Sequence, residues 1–158
     1  MFYPAGSLLR TKPRDAYEPE TLRLVIPRMK VDSPIQDGTE LYKLEKGPGL
    51  YSYAQPPDWA NTNTSIAAHR DIHGMEFYSI NTLGEGDYIY LVYKNKVFRY
   101  LHQYTVVVEA DNWDPIRVFS DCRVTLTTCD PIGTSEKRMI AVGTLVDIND
   151  FTDDYVFK

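Results

Sequence analysis

Cys129 and its neighbours hold the strongest chemical potential in this chain of 158 residues. Cys129 ends the run Thr125-Leu126-Thr127-Thr128-Cys129, and Arg138 follows after a stretch broken by Pro131 and Gly133. In an extended strand, Val124, Leu126 and Thr128 share one face while Thr125, Thr127 and Cys129 share the other. Val124 and Leu126 belong to a core, which turns Cys129 outward at a strand end where a loop begins. A thiol meant for a substrate belongs on such a rigid edge. Closure of the loop returns Arg138 to Cys129, where a guanidinium favours thiolate and can hold a developing oxyanion. A buried cysteine beside a surface arginine fits the same pattern.

A second segment, Ile66-Ala67-Ala68-His69-Arg70-Asp71, has the same design. Ile66 and Ala68 suit the core, so Ser65, Ala67 and His69 face the other way, with His69 at the strand end. Acyl transfer through a thiol needs an acid for the leaving amine and a base for the incoming one. A histidine can serve as both near neutral pH. Alone, it is equally a surface or hydrogen-bonded core residue. The other cysteine, Cys122, has the opposite strand parity and lies about 23 Å from Cys129 at ~3.3 Å per residue. No disulfide joins them while the strand reading holds.

The elements that must position these groups are mostly β. The aromatic share is 13%, with twelve tyrosines, a residue suited to pleated, half-buried surfaces. Residues 1–21 are proline-interrupted and read as an arm, or as a short helix around Ala16 to Leu24. From residue 22 to 158 one domain is predicted. Leu22 to Ile26 is a strand stopped by Pro27, and Met29 to Ile35 is a second extended run. Ser65 to Ala68 delivers His69, and Met75 to Leu83 is predicted helical. Asp87 to Tyr93 and Lys96 to Tyr100 form a hairpin around Lys94-Asn95. Tyr104 to Glu109, Arg123 to Thr128 and Arg138 to Val146 follow. About eight strands with one or two short helices predict a closed, mostly β barrel.

The net charge of -5 speaks against nucleic acid as a partner. The basic N-terminal stretch and the acidic run from Asp147 to Asp154 read as solvated surface. No transmembrane segment is predicted. Asn63-Thr64-Ser65 has the form of a glycosylation acceptor, a match common by chance. No metal or cofactor is expected.

These segments together resemble the sortases, the Gram-positive cell-surface transpeptidases, from about residue 22 to residue 146. Thr125-Leu126-Thr127-Thr128-Cys129 with Arg138 is similar to the family's Thr-Leu-x-Thr-Cys motif and its downstream arginine. Ala68-His69-Arg70-Asp71 is similar to its Gly-His-Arg-Asp form, with Ala68 where glycine is usual. Leu24-Val25-Ile26-Pro27 and Gly84-Glu85-Gly86-Asp87 support it. The resemblance implies a closed eight-stranded barrel with Cys129 as nucleophile, His69 as acid/base and Arg138 as oxyanion stabiliser. It implies cleavage of a Leu-Pro-x-Thr-Gly-like sorting signal on a surface protein. The acyl group would pass to an amine from a peptidoglycan precursor or a pilin lysine. Thr128 and Ala68 would line the site, with Ile132 in the loop after Cys129. Trp113 and Ile116, in the loop before Cys122, would build an apolar pocket for the signal or serve as ordinary loop anchors.

Family members normally carry an N-terminal membrane anchor, so the resemblance places the protein at the extracellular face of the membrane, with the anchor outside this sequence. The short interval from Cys129 to Arg138 resembles the pilin-assembling members, but their lid motif of Asp, Pro and an aromatic residue has no counterpart before residue 22. Two other readings compete. Ser120-Asp121-Cys122-Arg123 and His73-Gly74 echo the L,D-transpeptidases, with Cys122 as nucleophile, but Asp121 stands where glycine belongs and nothing separates Cys122 from Arg123. A cell-surface β-barrel that binds without turnover would explain the tyrosines but not the thiol, imidazole and guanidinium.

Overall fold

The computed structural model describes residues 15–52, 54–57, 62–70, 76–117, 119–130 and 136–158, with only the backbone of residue 130. Its strands are β1 (Leu22–Ile26), β2 (Val31–Pro34), β3 (Gln36–Asp37), β4 (Gly49–Leu50), β5 (Asn63–Ala67), β6 (Tyr88–Tyr93), β7 (Lys96–Glu109), β8 (Arg123–Asp130) and β9 (Lys137–Asp150). They form one sheet in the order β2-β1-β6-β7-β9-β8-β5-β4-β3. The two ends of that order, β2 and β3, are consecutive in the chain. The Ile35 N–H donates to the Leu22 carbonyl at 2.9 Å, and the Gln36 N–H donates to the Pro48 carbonyl at 2.7 Å. Neighbouring residues thus bond to opposite margins, and the sheet curls into a barrel. Nine strands replace the expected eight because the short strands β3 and β4 are added while two predicted strands merge into β7; the second extended run itself breaks at Ile35.

Side-chain alternation builds this wall in two layers. Leu22, Leu24 and Ile26 of β1 join Ile89 and Leu91 of β6 in the barrel core, with Val124 and Leu126 of β8. Val25, Tyr90, Val92 and Val97 point the other way and form a second cluster outside the barrel. The acids Asp150, Asp153 and Asp154 face solvent, as expected, but Phe151, Tyr155 and Phe157 pack onto that outer cluster. Phe157 meets Tyr90 edge-on at 5.1 Å between centroids, and the Arg23 guanidinium lies 5.2 Å from the Phe157 ring. Phe157→Ala should therefore cost about 1–2 kcal/mol of stability, from lost aromatic and cation–π contact. A urea titration checks this, with the midpoint expected to fall while the slope holds.

The hairpin at Lys94-Asn95 forms as expected, with φ of 51° and 63°, both left-handed. Helix is scarcer than expected. Ala16 to Leu24 yields only a 3-10 turn at Pro19–Thr21, and the segment ending at Leu83 only one at Ile80–Thr82. Prolines at 19 and 27 bound the first segment, and Gly84 follows directly on the second, whose buried Phe77, Ile80 and Leu83 pack from turns. Among the described residues the one α-helical turn, α1 (Leu41–Leu44), was not anticipated. β7 is one long strand rather than two, interrupted by register shifts at Arg99/Tyr100 and His102/Tyr104. Gly49 makes room beneath α1: a Cβ there would lie 2.2 Å from the Gly38 carbonyl oxygen.

Candidate active site

β5 and β8 run parallel, with Ile66 opposite Leu126 and Ala67 opposite Thr127. The same offset carried two residues further sets His69 beside Cys129. Two hydrogen bonds extend the ladder toward them. The Ala68 N–H donates to the Thr127 carbonyl at 3.2 Å, and the Thr128 hydroxyl donates to the Ala68 carbonyl at 2.7 Å. Beyond His69 the chain is fixed again. The Phe77 N–H donates to the His69 carbonyl at 3.1 Å, and Phe77 is fully buried. Arg70 is also buried and donates to the Tyr78 carbonyl and to Asn81 Oδ1, each at 3.3 Å. The residue before the histidine is thus tied to the residue before the cysteine. Thr128→Val would leave the Ala68 carbonyl without its donor, a loss of about 1–2 kcal/mol by chemical denaturation. Turnover should fall further than that stability change explains.

Arg138 comes from the other side. β8 and β9 are antiparallel, and Cys129 pairs directly with Arg138. Residues directly opposite in an antiparallel pair project to the same face. Cys129, His69 and Arg138 are all half-buried, and all three line one cavity of about 420 Å³. Ala67, Ala68, Thr127 and Thr128 contribute the strand side of that cavity. Thr39, Glu40, Leu41 and Leu44, in and before α1, contribute another wall.

The strand face that carries Cys129 is not simply open, as outward parity implied. Thr125 and Thr127 are buried on it, because other parts of the chain cover the strand up to its last residue. One of these is Tyr51, whose hydroxyl shares a 2.8 Å hydrogen bond with Thr127 Oγ1. Burial pushes the Tyr51 pKa up; the Thr127 hydrogen bond and the Arg138 charge oppose the rise, and Cys129 adds to it. The phenol stays neutral, so it adds a polar atom and an apolar ring beside the thiol without adding charge.

Thr128 and Ala68 line the cavity, whereas Trp113 and Ile116 do not appear among its lining residues. Ile116 is buried within the barrel core, and Trp113 packs partly against it. Ile132, His73 and Asp71 lie outside the described residues. Cys122 precedes β8, at the end of that strand remote from the cavity, near the Tyr100 hydroxyl, whose pKa is raised by burial and then by Cys122. Both cysteines are free. Tyr51 and the α1 wall were missed from the sequence. Leu41 and Leu44 stand at i, i+3, Glu40 pairs with Lys43 at 2.8 Å, and glycines flank the segment. That signal is too short to mark a helix by periodicity. Among the described residues, no cluster of His, Cys, Asp and Glu is arranged to hold a metal, and no helix is long and apolar enough to cross a membrane.

Comparison with known proteins fits this geometry. The sortase domain family matches residues 24–146. The chain is 32% identical over 139 residues to Sortase SrtE1 of Streptomyces coelicolor, covering 78% of this chain but 40% of that protein. It is 31% identical over 142 residues to Sortase D of Bacillus subtilis, covering 85% of this chain and 70% of that one. Among solved structures, Clostridium perfringens sortase C with the C-terminal cell wall sorting motif is similar at a TM-score of 0.71 and 30% identity. That match covers 79% of this chain and 69% of the other.

Proposed function

Since the chain belongs to the sortase family, we propose that it is a cysteine transpeptidase that cleaves a Leu-Pro-x-Thr-Gly-like sorting signal and passes the acyl group to an amine. The observation that carries this reading is the convergence of Cys129, His69 and Arg138 on one cavity. In the first step the Cys129 thiolate attacks the carbonyl carbon of the Thr–Gly bond. Arg138, on the neighbouring strand, holds the oxyanion of the tetrahedral intermediate. The carbon–nitrogen bond breaks, and protonated His69 gives its proton to the departing glycine amine. A thioester on Cys129 remains. In the second step an amine attacks that thioester, His69 takes a proton from it, and the Cys129 thiolate leaves.

The acceptor on this reading is a cell-wall precursor amine or a pilin lysine, and the donor is a surface protein with a C-terminal signal. The place of action is the outer face of the cell membrane. The C. perfringens relative solved with a sorting motif supports the donor class. Nothing in the chemistry calls for a cofactor.

Intact-mass analysis after incubation with a panel of sorting-signal peptides tests the proposal. The expected product is an adduct equal to the peptide's acyl half, localised by digestion to Cys129 and discharged by added amine. An adduct found on Cys122 instead would sink the assignment. So would the lack of any adduct across the panel, which would leave a binding module.

A further inference from the structure

β7 and β9 outrun their neighbours, and each leaves one margin of its backbone open. β6 pairs with β7 from Lys96 to Leu101, and the His102 N–H ends that ladder on the Asp87 carbonyl at 3.0 Å. β9 stays beside β7 as far as Glu109. Over residues 103–108, β7 is thus bonded on one side, and no backbone group among the described residues bonds it on the other. β8 leaves β9 in the same way. Their pairing ends where Arg123 meets Thr144, and the Leu145 N–H donates to the Cys122 carbonyl at 2.9 Å. Over residues 146–150 that margin of β9 is open too, among the described residues.

The two margins differ in what an added strand would meet. An open edge is normally guarded by charge, proline or a bulge, since its free N–H and C=O groups invite pairing. The β9 margin carries Asp147 and Asp150. Tyr104-Thr105-Val106-Val107-Val108 of β7 carries no charge and no proline, and the register shifts of β7 lie before it. All of it but Tyr104 is β-branched, the type that suits a pleated ladder. Tyr104, Val106 and Val107 are 45%, 41% and 45% exposed, so apolar surface is open on both faces of the strand.

The strand that fits this margin is a second copy of itself. In an antiparallel pair centred on Val106, Val106 meets Val106, Tyr104 meets Val108 and Thr105 meets Val107. Aromatic and β-branched pairs of this kind stabilise a sheet. At the ends Glu109 meets Gln103, so no like charges are opposed. Glu109 also holds Lys137 of its own chain at 2.8 Å, which balances its charge. The assembly closes at two, because each copy has one such margin and its other open margin bears carboxylates.

We propose that residues 103–109 are a self-association edge, through which two copies pair β7 to β7 about a twofold axis at Val106. Val108 pairs with Arg138, and Arg138 with Cys129, so the edge lies two strands from the thiol. Directly opposed residues share a face, which sets the axis perpendicular to the sheet. The Cys129 faces of the two copies therefore look the same way, with Tyr104 of the second copy beside Val108 on that face. The pairing is one strand wide, small beside the ~1,600 Å² of a standard interface, so a dissociation constant on the order of 100 µM is expected.

Sedimentation velocity from about 10 µM to about 1 mM tests this, with wild type expected to pass from monomer to dimer and no further. Val106→Lys sets two ammonium groups against each other at the axis and should weaken the dimer at least about ten-fold, with the urea midpoint held. Val106→Cys, in a Cys122→Ala, Cys129→Ala background, should oxidise to a covalent dimer. Val107→Cys in that background, its thiols two residues out of register, should do so at least about five-fold more slowly. A monomer throughout overturns the proposal. So does a dimer that Val106→Lys leaves intact, linkage at Val107 as fast as at Val106, or growth beyond two copies. Should Val106→Lys not fold, the two cysteine variants decide alone. None of these readouts uses a peptide, so the outcome is independent of the transpeptidase reading.

Discussion

Cys129→Ala should abolish thioester formation and lower kcat/KM for a signal peptide by at least about 10⁴-fold, the scale seen when a covalent nucleophile is removed. Cys129 sits at the end of β8, half-buried, where an alanine methyl fits the same space. The variant should keep its urea midpoint, so lost activity cannot be blamed on unfolding. It should also still bind the signal, because the cavity walls from β5, β8 and α1 are untouched. Cys122→Ala is the internal control and should retain turnover within about two-fold, since its thiol lies away from the cavity. Full activity in Cys129→Ala, or loss in Cys122→Ala at unchanged stability, would overturn the assignment.

Arg138→Ala should lower kcat by about 10²–10³-fold, the effect of removing an oxyanion donor. Two roles for the guanidinium can be separated. If Arg138 acts only by favouring the thiolate, Cys129 alkylation and turnover should fall together, and Arg138→Lys should restore both. If it holds the oxyanion, alkylation should change far less than turnover. Lysine, a point charge without the planar fork, should then recover only part of the loss. The direct pairing of Cys129 with Arg138 favours the second outcome, because the guanidinium projects on the thiol's own side of the sheet. Matched losses in alkylation and turnover would reject it.

Much of this arrangement was legible in the chain because it depends on local rules. The parity of Val124, Leu126 and Cys129 needs only two-residue alternation, and the Lys94-Asn95 hairpin needs only a two-residue turn between apolar strands. The motifs around His69, Cys129 and Arg138 supplied the family. What escaped depends on distant partners. Tyr51 reads as one tyrosine among twelve until the fold brings it to Thr127, 76 positions away. Asn63 reads as half of a chance glycan motif until the loop at Pro115 closes over it. The kink at Ile35 is invisible because each half of Val31 to Asp37 has an ordinary strand pattern, and only its two different neighbours divide it. The aromatic tail was hidden by its acids, which are exposed, while the rings between them are not.

The parallel pairing of β5 with β8 has a consequence for the birth of the enzyme. His69 follows β5, Cys129 lies in β8, and the bond that joins their neighbours, Thr128 to Ala68, spans 60 positions. Pairings so distant in the chain carry a high loop-closure cost and form late relative to hairpins such as β6–β7. A nascent or half-folded molecule therefore holds a thiol and an imidazole that have not met. Folding is thus its own safety catch: the thiol and the imidazole are brought to one cavity only when a seam 60 positions long in the chain has closed.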